Sequence, residues 1–490
     1  MPYYVFLFAA VLMVVALSWA LWSYTHSIAF PFGMALLYFW SLHGAWAIVT
    51  DQLGGDSQKH YHYLYDKMFP VYLDENYAWT LALYAAFILI VALTALLWVR
   101  PACLPSVNLK PVVLSHDKII VFGGFAALMS LWIVRESLGQ AAQTGVSAYA
   151  VTRSATDNLG WFRIHQVLNR VALVPASIGF ATLVAGGRCR YLAGDRRFRH
   201  YAGYAGLLGF MFCFCVVLGN KNELALALFA GCLFYIMNST RPKMWQLATS
   251  GTALLACVGF IDFARGLSID DLSSNVSVGE ITNSLVSLAD SNEAFAAHMS
   301  LYGVLDYDLP LTYGSSIYSL LASVVPRALW PDRPYDIYWY YANGVAATEG
   351  QGYSIHHAAG WYLNFGVPGV VLGAFLLGRL WAALYNNVIH GAYRPTAMWW
   401  RIFCIVGFFT FTANLPSLIR AGPEGYKAIL VDSFFVPVAI LTLSRAPSLR
   451  QLQTKVTGRS HCLNRVRPSL APPTVPIRPK ILHSREVRTN

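Results

Sequence analysis

Apolar runs of about 20 residues recur along almost the whole chain of 490 residues. A segment in the lipid core must satisfy its backbone hydrogen bonds internally, so such a run has the length of a membrane-spanning helix. Only 12% of the residues are charged, about half the share typical of a soluble globular protein. The sequence therefore predicts an all-α, polytopic membrane helical bundle and excludes a large soluble enzyme.

The hydropathy pattern predicts about 11 spans and one large extracytoplasmic loop between the eighth and the ninth. A re-entrant hairpin around residues 219–223 is the alternative for the two spans that meet there. The predicted spans lie at residues 3–23, 28–50, 78–99, 118–135, 165–187, 201–219, 222–238, 244–264, 363–384, 398–416 and 426–444.

The basic residues give the predicted orientation. Of the 35 Lys and Arg residues, 22 fall in segments on one side of this arrangement, and loops rich in Lys and Arg face the cytoplasm. These segments are residues 100–118, 188–200, 239–243, 385–401 and 445–490. The C-terminus is therefore predicted inside and the N-terminus outside.

The predicted spans and loops divide the chain into four parts. They are an N-terminal bundle of about eight spans (1–264), a large external loop (265–362), the last spans (363–444) and a basic tail (445–490). The tail has ten basic residues and one acidic residue, and its proline-rich composition predicts disorder along anionic lipid headgroups. Nucleic-acid binding is the less favoured interpretation of its charge.

The most distinctive local sequence is Val-Pro-Arg-Ala-Leu-Trp-Pro-Asp-Arg-Pro at residues 325–334. Its three prolines favour a stiff, extended backbone, and this places Arg327 and Arg333 at defined positions. A guanidinium group is always charged and its planar fork matches phosphate oxygens. Anchoring to lipid headgroups is the alternative role for this pair.

The same external loop carries aromatic and polar residues near its end. Trp330 and Trp339 could stack on sugar rings, whereas an interfacial aromatic belt is the ordinary explanation of such residues. His356 and His357 could act as bases near neutral pH, although adjacent histidines in a polar loop are usually only solvated. Asn364 stands at a helix mouth, where packing alone does not explain it.

Arginine is also abundant in the second external loop, against the usual topogenic bias. Arg153 and Arg163 predict an anionic ligand outside the membrane, and Lys221 between two spans could join them. Arg170 lies inside a span, where a charge is either functional or reaches the interface by snorkelling.

Metal and disulfide chemistry have little support in the sequence. Asp306 and Asp308 form a DxD pair that could hold a divalent cation, but two acidic residues in a loop are a common accident. The eight cysteines show no zinc-site spacing and none falls in a predicted external loop. We expect no metal and no cofactor.

The order Pro-Arg-x-x-Trp-Pro-x-Arg-Pro, then about 30 residues, then Tyr-Leu-Asn-Phe-Gly-x-x-Gly resembles the Wzy-type O-antigen and oligosaccharide repeat-unit polymerases. The close match runs from Pro326 to Gly378. Similar polymerases often have an acidic residue four positions before the asparagine, where this chain has Gly360.

The resemblance implies an enzyme of the bacterial inner membrane, a glycosyltransferase that joins repeat units carried on undecaprenyl diphosphate at the outer face. Arg327 and Arg333 would hold the diphosphate, helped by Arg153, Arg163 or Lys221. His357 or Asp332 would be the base, Trp330 and Trp339 would bind sugar, and Asn364 would position a sugar or the loop. A flippase and a chain-length regulator are candidate partners beside the lipid bilayer.

Two other functions stay open at this point. Another lipid-carrier-dependent glycosyltransferase or an O-antigen ligase would use the same carrier at the same face. A polysaccharide or lipid-linked sugar transporter belongs to a different class, and it usually shows inverted repeats and charges at the membrane midplane. The chain shows no internal repeat.

Overall fold

The structure is a computed structural model that describes most of the chain. The described residues are 2–54, 73–101, 111–146, 148, 151–152, 161–239, 293–322, 330, 332, 334, 337–345, 354–391, 398–428, 430 and 434–446. Side chains at 51–54, 161–163, 221, 293, 390–391, 398 and 427–428 are left out of the account.

The described part of the chain is mostly helical, as predicted. Its helices are α1 (Pro2–Thr25), α2 (Ala29–Tyr38), α3 (Gly44–Gly54), α4 (Glu75–Trp98), α5 (His116–Thr144), α6 (Trp161–Ala185), α7 (Phe198–Val217), α8 (Lys221–Asn238), α9 (Glu293–Asp306), α10 (Ser315–Ala322), α11 (Ile337–Gly344), α12 (His357–Gly391), α13 (Met398–Ala413), α14 (Leu415–Arg420), α15 (Gly425–Ala428) and α16 (Val436–Leu443). A π-helical turn, Phe39–His43, joins α2 to α3. Two short strands, β1 (Val112–Leu114) and β2 (Leu192–Gly194), pair in parallel.

Seven helical stretches in the described ranges are long and apolar enough to cross a membrane. They are Pro2–Thr25, Ala29–Thr50, Glu75–Trp98, His116–Thr144, Ile164–Arg188, Phe198–Val217 and His357–Ile389. Asn222–Asn238 and Trp399–Ala413 are shorter apolar helices at two further predicted spans. The predicted span 244–264 lies outside the described residues, so the total of 11 stays a prediction.

The described residues up to Arg445 belong to one compact unit. Within this unit α12 packs along α4, while α6 packs along both α5 and α8. Helix α9 belongs to the predicted external loop, yet its residues from Ala294 to Val304 are buried against the bundle. The described part of 265–362 is therefore anchored in the core of this unit. The four-part division of the chain stays a prediction.

One end of the bundle is rich in arginine. Here the backbone N–H of Ser115 donates to the carbonyl oxygen of Ser444 (2.6 Å), and that of Arg190 donates to the carbonyl oxygen of Asn238 (2.8 Å). The backbone N–H of Arg100 donates to Oδ1 of Asn386 (2.8 Å). These bonds join the start of α5 to the end of α16, the end of α8 to the segment after α6, and the end of α4 to α12; the pairing of β1 with β2 connects the first two of these junctions. We call this the basic end, and its described arginines are Arg100, Arg188, Arg190, Arg196, Arg197, Arg199 and Arg445.

The opposite end contains α9, α10, α11 and the start of α12. The hydroxyl of Tyr302 on α9 donates to Oδ2 of Asp74, the residue that caps α4 (3.0 Å). The hydroxyl of Tyr3 donates to the carbonyl oxygen of Leu73 (2.7 Å), which places the N-terminus at this end too. The described residues of the proline-rich motif directly precede α11 at this end, which is therefore the candidate location of a site.

Candidate functional site

Three fully buried histidines form the centre of the opposite end: His298 on α9, and His356 and His357 at the start of α12. The π-helical turn supplies Ser41, which contacts two of them. Its carbonyl oxygen lies 2.6 Å from Nδ1 of His298, and its hydroxyl lies 2.9 Å from Nε2 of His356. The turn therefore joins α9 to α12 through one residue.

The partners of each ring decide its tautomer. A carbonyl oxygen can only accept, so His298 carries its proton on Nδ1, and Nε2 accepts from the Tyr77 hydroxyl (3.1 Å). In His356 the assignment is reversed, because Nδ1 accepts from the backbone N–H of Ala358 (3.0 Å). Its Nε2 then donates to Ser41. Both rings are neutral and fully hydrogen-bonded.

Burial lowers the pKa of both histidines. Loss of hydration lowers the pKa of His298 to about 4, although the bond to Ser41 opposes the shift. The pKa of His356 lies well below its ordinary value, because burial is reinforced by His357 and His298 nearby. These side chains are polar core residues and are not the solvated pair that a polar loop would contain.

His357 is held in the same way. Its Nδ1 donates to the carbonyl oxygen of Gly422 (3.0 Å), and its Nε2 accepts from the indole N–H of Trp361 (3.1 Å). A base that takes a proton from a sugar hydroxyl needs a ring nitrogen directed at that hydroxyl. Because both nitrogens are bonded inside the protein, this geometry gives His357 a positioning role in place of the predicted role as base.

The chain between the two halves of the sequence motif contacts one short segment, Arg420–Glu424, at both of its ends. The Oε1 of Glu424 accepts from the backbone N–H of Ile337 at the start of α11 (3.0 Å). On the other side, the backbone N–H of Ile355 donates to the carbonyl oxygen of Arg420 (3.1 Å). The segment therefore connects the chain that follows the proline-rich motif to the chain that begins α12.

Close packing around Gly360 explains why this chain lacks the acidic residue that similar polymerases often have four positions before the asparagine. A Cβ atom on Gly360 would lie 2.5 Å from Cδ of Pro423 and 3.3 Å from Cα of Gly422. Gly422 itself has φ of +62°, a conformation that favours glycine. Close backbone packing occupies the space in which a carboxylate would stand.

Asn364 is fully buried and uses its amide inside the protein. Its Nδ2 donates to Ser316 Oγ (2.6 Å) and to the carbonyl oxygen of Gly360 (2.7 Å), while Oδ1 accepts from the Thr312 hydroxyl (3.3 Å). Of the two predicted roles, a contact with sugar or the positioning of the loop, these bonds favour the second.

The remaining residues predicted for loop three are distributed as follows. Arg327 and Arg333 lie outside the described residues. Asp332, which stands between them, is exposed in a turn, and Trp330 is half-buried. Trp339 lies on α11 with 48% of its surface exposed. Asp332 and Trp339 are thus open to a ligand at this end, unlike His357 and Asn364.

The cationic residues predicted in other loops are described only in part. Arg153 lies outside the described residues, and only the backbone positions of Arg163 and Lys221 are described. Arg163 stands in the first turn of α6 and Lys221 is the first residue of α8. A hydrogen bond between the side chains of Asn220 and His165 joins the two helices close to these positions.

A polar network that the sequence analysis missed surrounds this junction. The amide nitrogens of Asn169 and Asn220 donate to Nε2 of His165 (3.1 and 2.8 Å), so the ring proton is on Nδ1 and donates to Ser130 Oγ (2.7 Å). The Ser130 hydroxyl in turn donates to Oδ1 of Asn169 (2.7 Å). The residues of this network come from three separate segments of the chain, so no local pattern in the sequence indicates the group.

Arg170 forms an ion pair with Glu223 at 3.4 Å, and both side chains are largely buried. Removing either partner would leave a charge buried between helices, so the pair joins α6 to α8. The sequence analysis singled out Arg170 but not its partner.

No group of three or more His, Cys, Asp and Glu side chains that could hold a metal ion occurs among the described residues. Asp306 ends α9 and Asp308 follows in the turn after it.

Comparison of the chain with protein-family models, with curated proteins and with solved structures finds no match.

Proposed function

We propose that this protein is a glycosyltransferase that polymerises undecaprenyl-diphosphate-linked oligosaccharide repeat units at the outer face of the bacterial inner membrane. One observation carries the proposal: the chain just after the first half of the motif that resembles the repeat-unit polymerases, and the chain that leads into its second half, both contact the segment Arg420–Glu424. About 20 residues separate Ile337 from Ile355 in sequence, so their meeting on a third segment requires tertiary structure. This arrangement is what a single site built from both halves needs.

The arrangement of charge agrees with this proposal. The positive-inside rule assigns the basic end to the cytoplasm, and the opposite end then faces the outside, where lipid-linked repeat units are available. The C-terminus is cytoplasmic and the N-terminus external in this orientation. Partners of the proposed enzyme are its lipid-linked substrate, the bilayer, a flippase and a chain-length regulator.

The proposed reaction moves a glycan from its diphosphate to a hydroxyl group. The hydroxyl oxygen attacks the anomeric carbon, the bond to the diphosphate breaks, and negative charge grows on the leaving group. Arg327 and Arg333 stabilise that charge, with help from Arg153, Arg163 or Lys221; a preorganised donor of this kind is worth about 3 kcal/mol in the transition state. Asp332 is exposed and lies between the two arginines in the sequence. We therefore assign it the role of the base that accepts the proton of the attacking hydroxyl.

Replacing the two arginines tests the proposal. In a deletion strain complemented with Arg327→Ala or Arg333→Ala, we expect single repeat units on the final acceptor and no long chains, as seen by electrophoresis of the surface polysaccharide. Arg197→Ala is the matched control, because it removes an exposed arginine at the basic end. Normal ladders from both site variants, with normal protein levels in the membrane, would refute the assignment.

The same gel separates a polymerase from a ligase. Loss of a polymerase leaves single units on the final acceptor, whereas loss of a ligase leaves no glycan there at all. If the deletion strain lacks glycan on the acceptor completely, a ligase becomes the better description of this protein.

A transporter is the second candidate, and the buried Arg170–Glu223 pair is the observation that favours it. A transporter would need this pair for activity, whereas a polymerase needs it only for packing. The double variant Arg170→Met/Glu223→Met removes both charges together and leaves no unpaired one. Normal glycan ladders from this variant would support the polymerase.

A further inference from the structure

In helix α10 the small side chains face the protein and the large apolar side chains face outward, the opposite of a helix at a water-exposed surface. Its small residues Ser316, Ser319 and Ala322 are buried against the protein. Its large apolar residues point outward, with Tyr318 55% and Leu321 68% exposed. A helix that turns its apolar side chains away from the core needs an apolar partner on that side.

Tyr313 extends this exposed surface. It is 79% exposed and its backbone has φ of 48°, which is unusual for a bulky residue. The backbone on either side is held firmly, because the N–H of Thr312 donates to the carbonyl oxygen of Leu363 (2.7 Å) and Gly314 lies against the ring of Phe365. Strained backbone of this kind costs about 1–3 kcal/mol and persists only where surrounding contacts impose it.

The position of α10 places this surface at the edge of the bilayer. Ser316 is hydrogen-bonded to Asn364, directly before the point where α12 is interrupted and its long apolar section begins. Val367 and Val371, in the first turns of that section, are both about half exposed. Beyond the interruption, α12 thus also presents exposed apolar residues of the kind that face lipid.

We propose that the α10 apolar face, formed by Tyr313, Ile317, Tyr318 and Leu321, binds the isoprenoid tail of the diphosphate carrier. The inference rests on the proposed function. A carrier whose diphosphate is held by Arg327 must lead its tail from that arginine into the bilayer. Arg327 follows Ala322, the last residue of α10, by five residues, a span of at most about 18 Å. The face therefore lies next to the headgroup site and on the way to the lipid.

Photo-crosslinking tests this assignment directly. The full chain, with Tyr318 replaced by the photoreactive residue p-benzoylphenylalanine, is placed in nanodiscs of phosphatidylethanolamine and phosphatidylglycerol with a small share of undecaprenyl diphosphate. Trp19 on α1, which is 66% exposed, is replaced in the same way as the control for ordinary lipid contact. The measurement is the ratio of polyprenyl to phospholipid adducts at each position, by mass spectrometry.

We expect this ratio to be several-fold higher at position 318 than at position 19. Equal ratios would mean that the face touches only bulk lipid, and crosslinks to a second copy of the chain would mean that it is a protein interface; either result overturns the proposal. A kinetic readout complements it: Leu321→Lys should raise the KM for carrier-linked substrate and preserve kcat, whereas Phe198→Lys, at an 87% exposed position of the basic end, should change neither.

The two proposals can fail separately. If polyprenyl adducts are enriched at position 318 but the deletion strain still makes polymer, the tail site is supported and the polymerase function is refuted. If polymer formation depends on Arg327 and Arg333 but the adduct ratios are equal, the polymerase function is supported and the tail site is refuted.

Discussion

His298 and His356 show how a polar residue can serve a hydrophobic bundle. Each ring is completely buried, and each of its nitrogens has a partner of the type that its neutral tautomer requires. A protonated ring would present a donor to another donor: Tyr77 could still turn its hydroxyl, but the backbone N–H of Ala358 could not. The network therefore stabilises only the neutral form of His356.

This arrangement predicts that acid weakens the fold. The pKa of both rings is lower in the folded than in the unfolded protein, where an ordinary value of 6.5 applies, so the unfolded chain binds more protons below that pH. Stability is then fully present above about pH 6.5 and falls as the pH decreases, by up to about 1.4 kcal/mol per pH unit and histidine. By pH 5 His298 alone should cost about 2 kcal/mol. Thermal unfolding in detergent between pH 7.5 and 5 measures this slope.

Variants identify the groups responsible for the slope. His298→Asn keeps a donor for the Ser41 carbonyl but does not titrate, so its unfolding temperature should depend less on pH than that of the wild type. His26 is exposed, and Asn tolerates its φ of 49°, so His26→Asn should retain the wild-type slope. Parallel curves for the wild type and His298→Asn would contradict the explanation.

Gly360 shows what the sequence can and cannot say about one residue. The absence of an acidic residue is visible in the sequence, but its cause is Pro423, which lies more than 60 residues away in the chain and 2.5 Å from a Cβ on Gly360. Likewise the adjacent histidines suggested a solvated pair, whereas their partners come from the π-helical turn and from Gly422. Local pattern identifies the residue, and only tertiary packing decides its environment.

At the scale of elements, α12 is two helices separated by a break. Phe365 (φ −143°, ψ 18°) and Gly366 (φ 64°, ψ −148°) leave the helical conformation, and the second of these is a region open essentially to glycine alone. Next to the break, the carbonyl oxygen of Leu363 accepts from Thr312, which lies outside α12, and the carbonyl oxygen of Gly360 accepts from the side chain of Asn364. The break is therefore a built feature that places α10 against the start of the apolar section.

We predict that removing the Asn364 amide loosens this junction. Asn364→Ala leaves Ser316 and the buried carbonyl of Gly360 without this donor, which costs about 1–3 kcal/mol for each buried group. Because the loss is local, hydrogen–deuterium exchange should increase in residues 312–322 before it increases in α4. Asn343→Ala is the matched control, since that amide is exposed and bonds only within α11. Unchanged hydrogen–deuterium exchange over residues 312–322 in Asn364→Ala would show that the Asn364 amide does not stabilise this junction.

The positions of the long helices could be predicted from hydropathy, because a membrane span depends on length and composition, although α5 and α12 extend well beyond the spans expected at 118–135 and 363–384. The span expected at 3–23 is α1, and the one expected at 78–99 is α4. Short elements were harder: the sequence assigned the residues of α9 to an external loop and did not indicate that they are buried from Ala294 to Val304. Burial of α9 depends on contacts with the π-helical turn and α4, which no local period encodes.

At the scale of the whole molecule, hydrogen bonds between helix ends divide the bundle into two ends that differ in charge. The basic end was expected from the positions of Lys and Arg, but that expectation depended on an assumed number of spans. The contacts of Ser115 with Ser444 and of Arg100 with Asn386 define the same end without counting spans. Sidedness can therefore be tested with one residue from each end.

Cysteine accessibility provides this test. Asn343→Cys places a thiol on exposed α11, and Arg197→Cys places one on the exposed surface of the basic end. With a membrane-impermeant maleimide, we expect Asn343→Cys to react in cells whose outer membrane alone is permeabilised, and Arg197→Cys to react only after the inner membrane is opened. The wild type, with its eight native cysteines, gives the background under both conditions. The opposite pattern would place α11 in the cytoplasm, away from any repeat unit at the outer face, and the polymerase proposal would have to be abandoned.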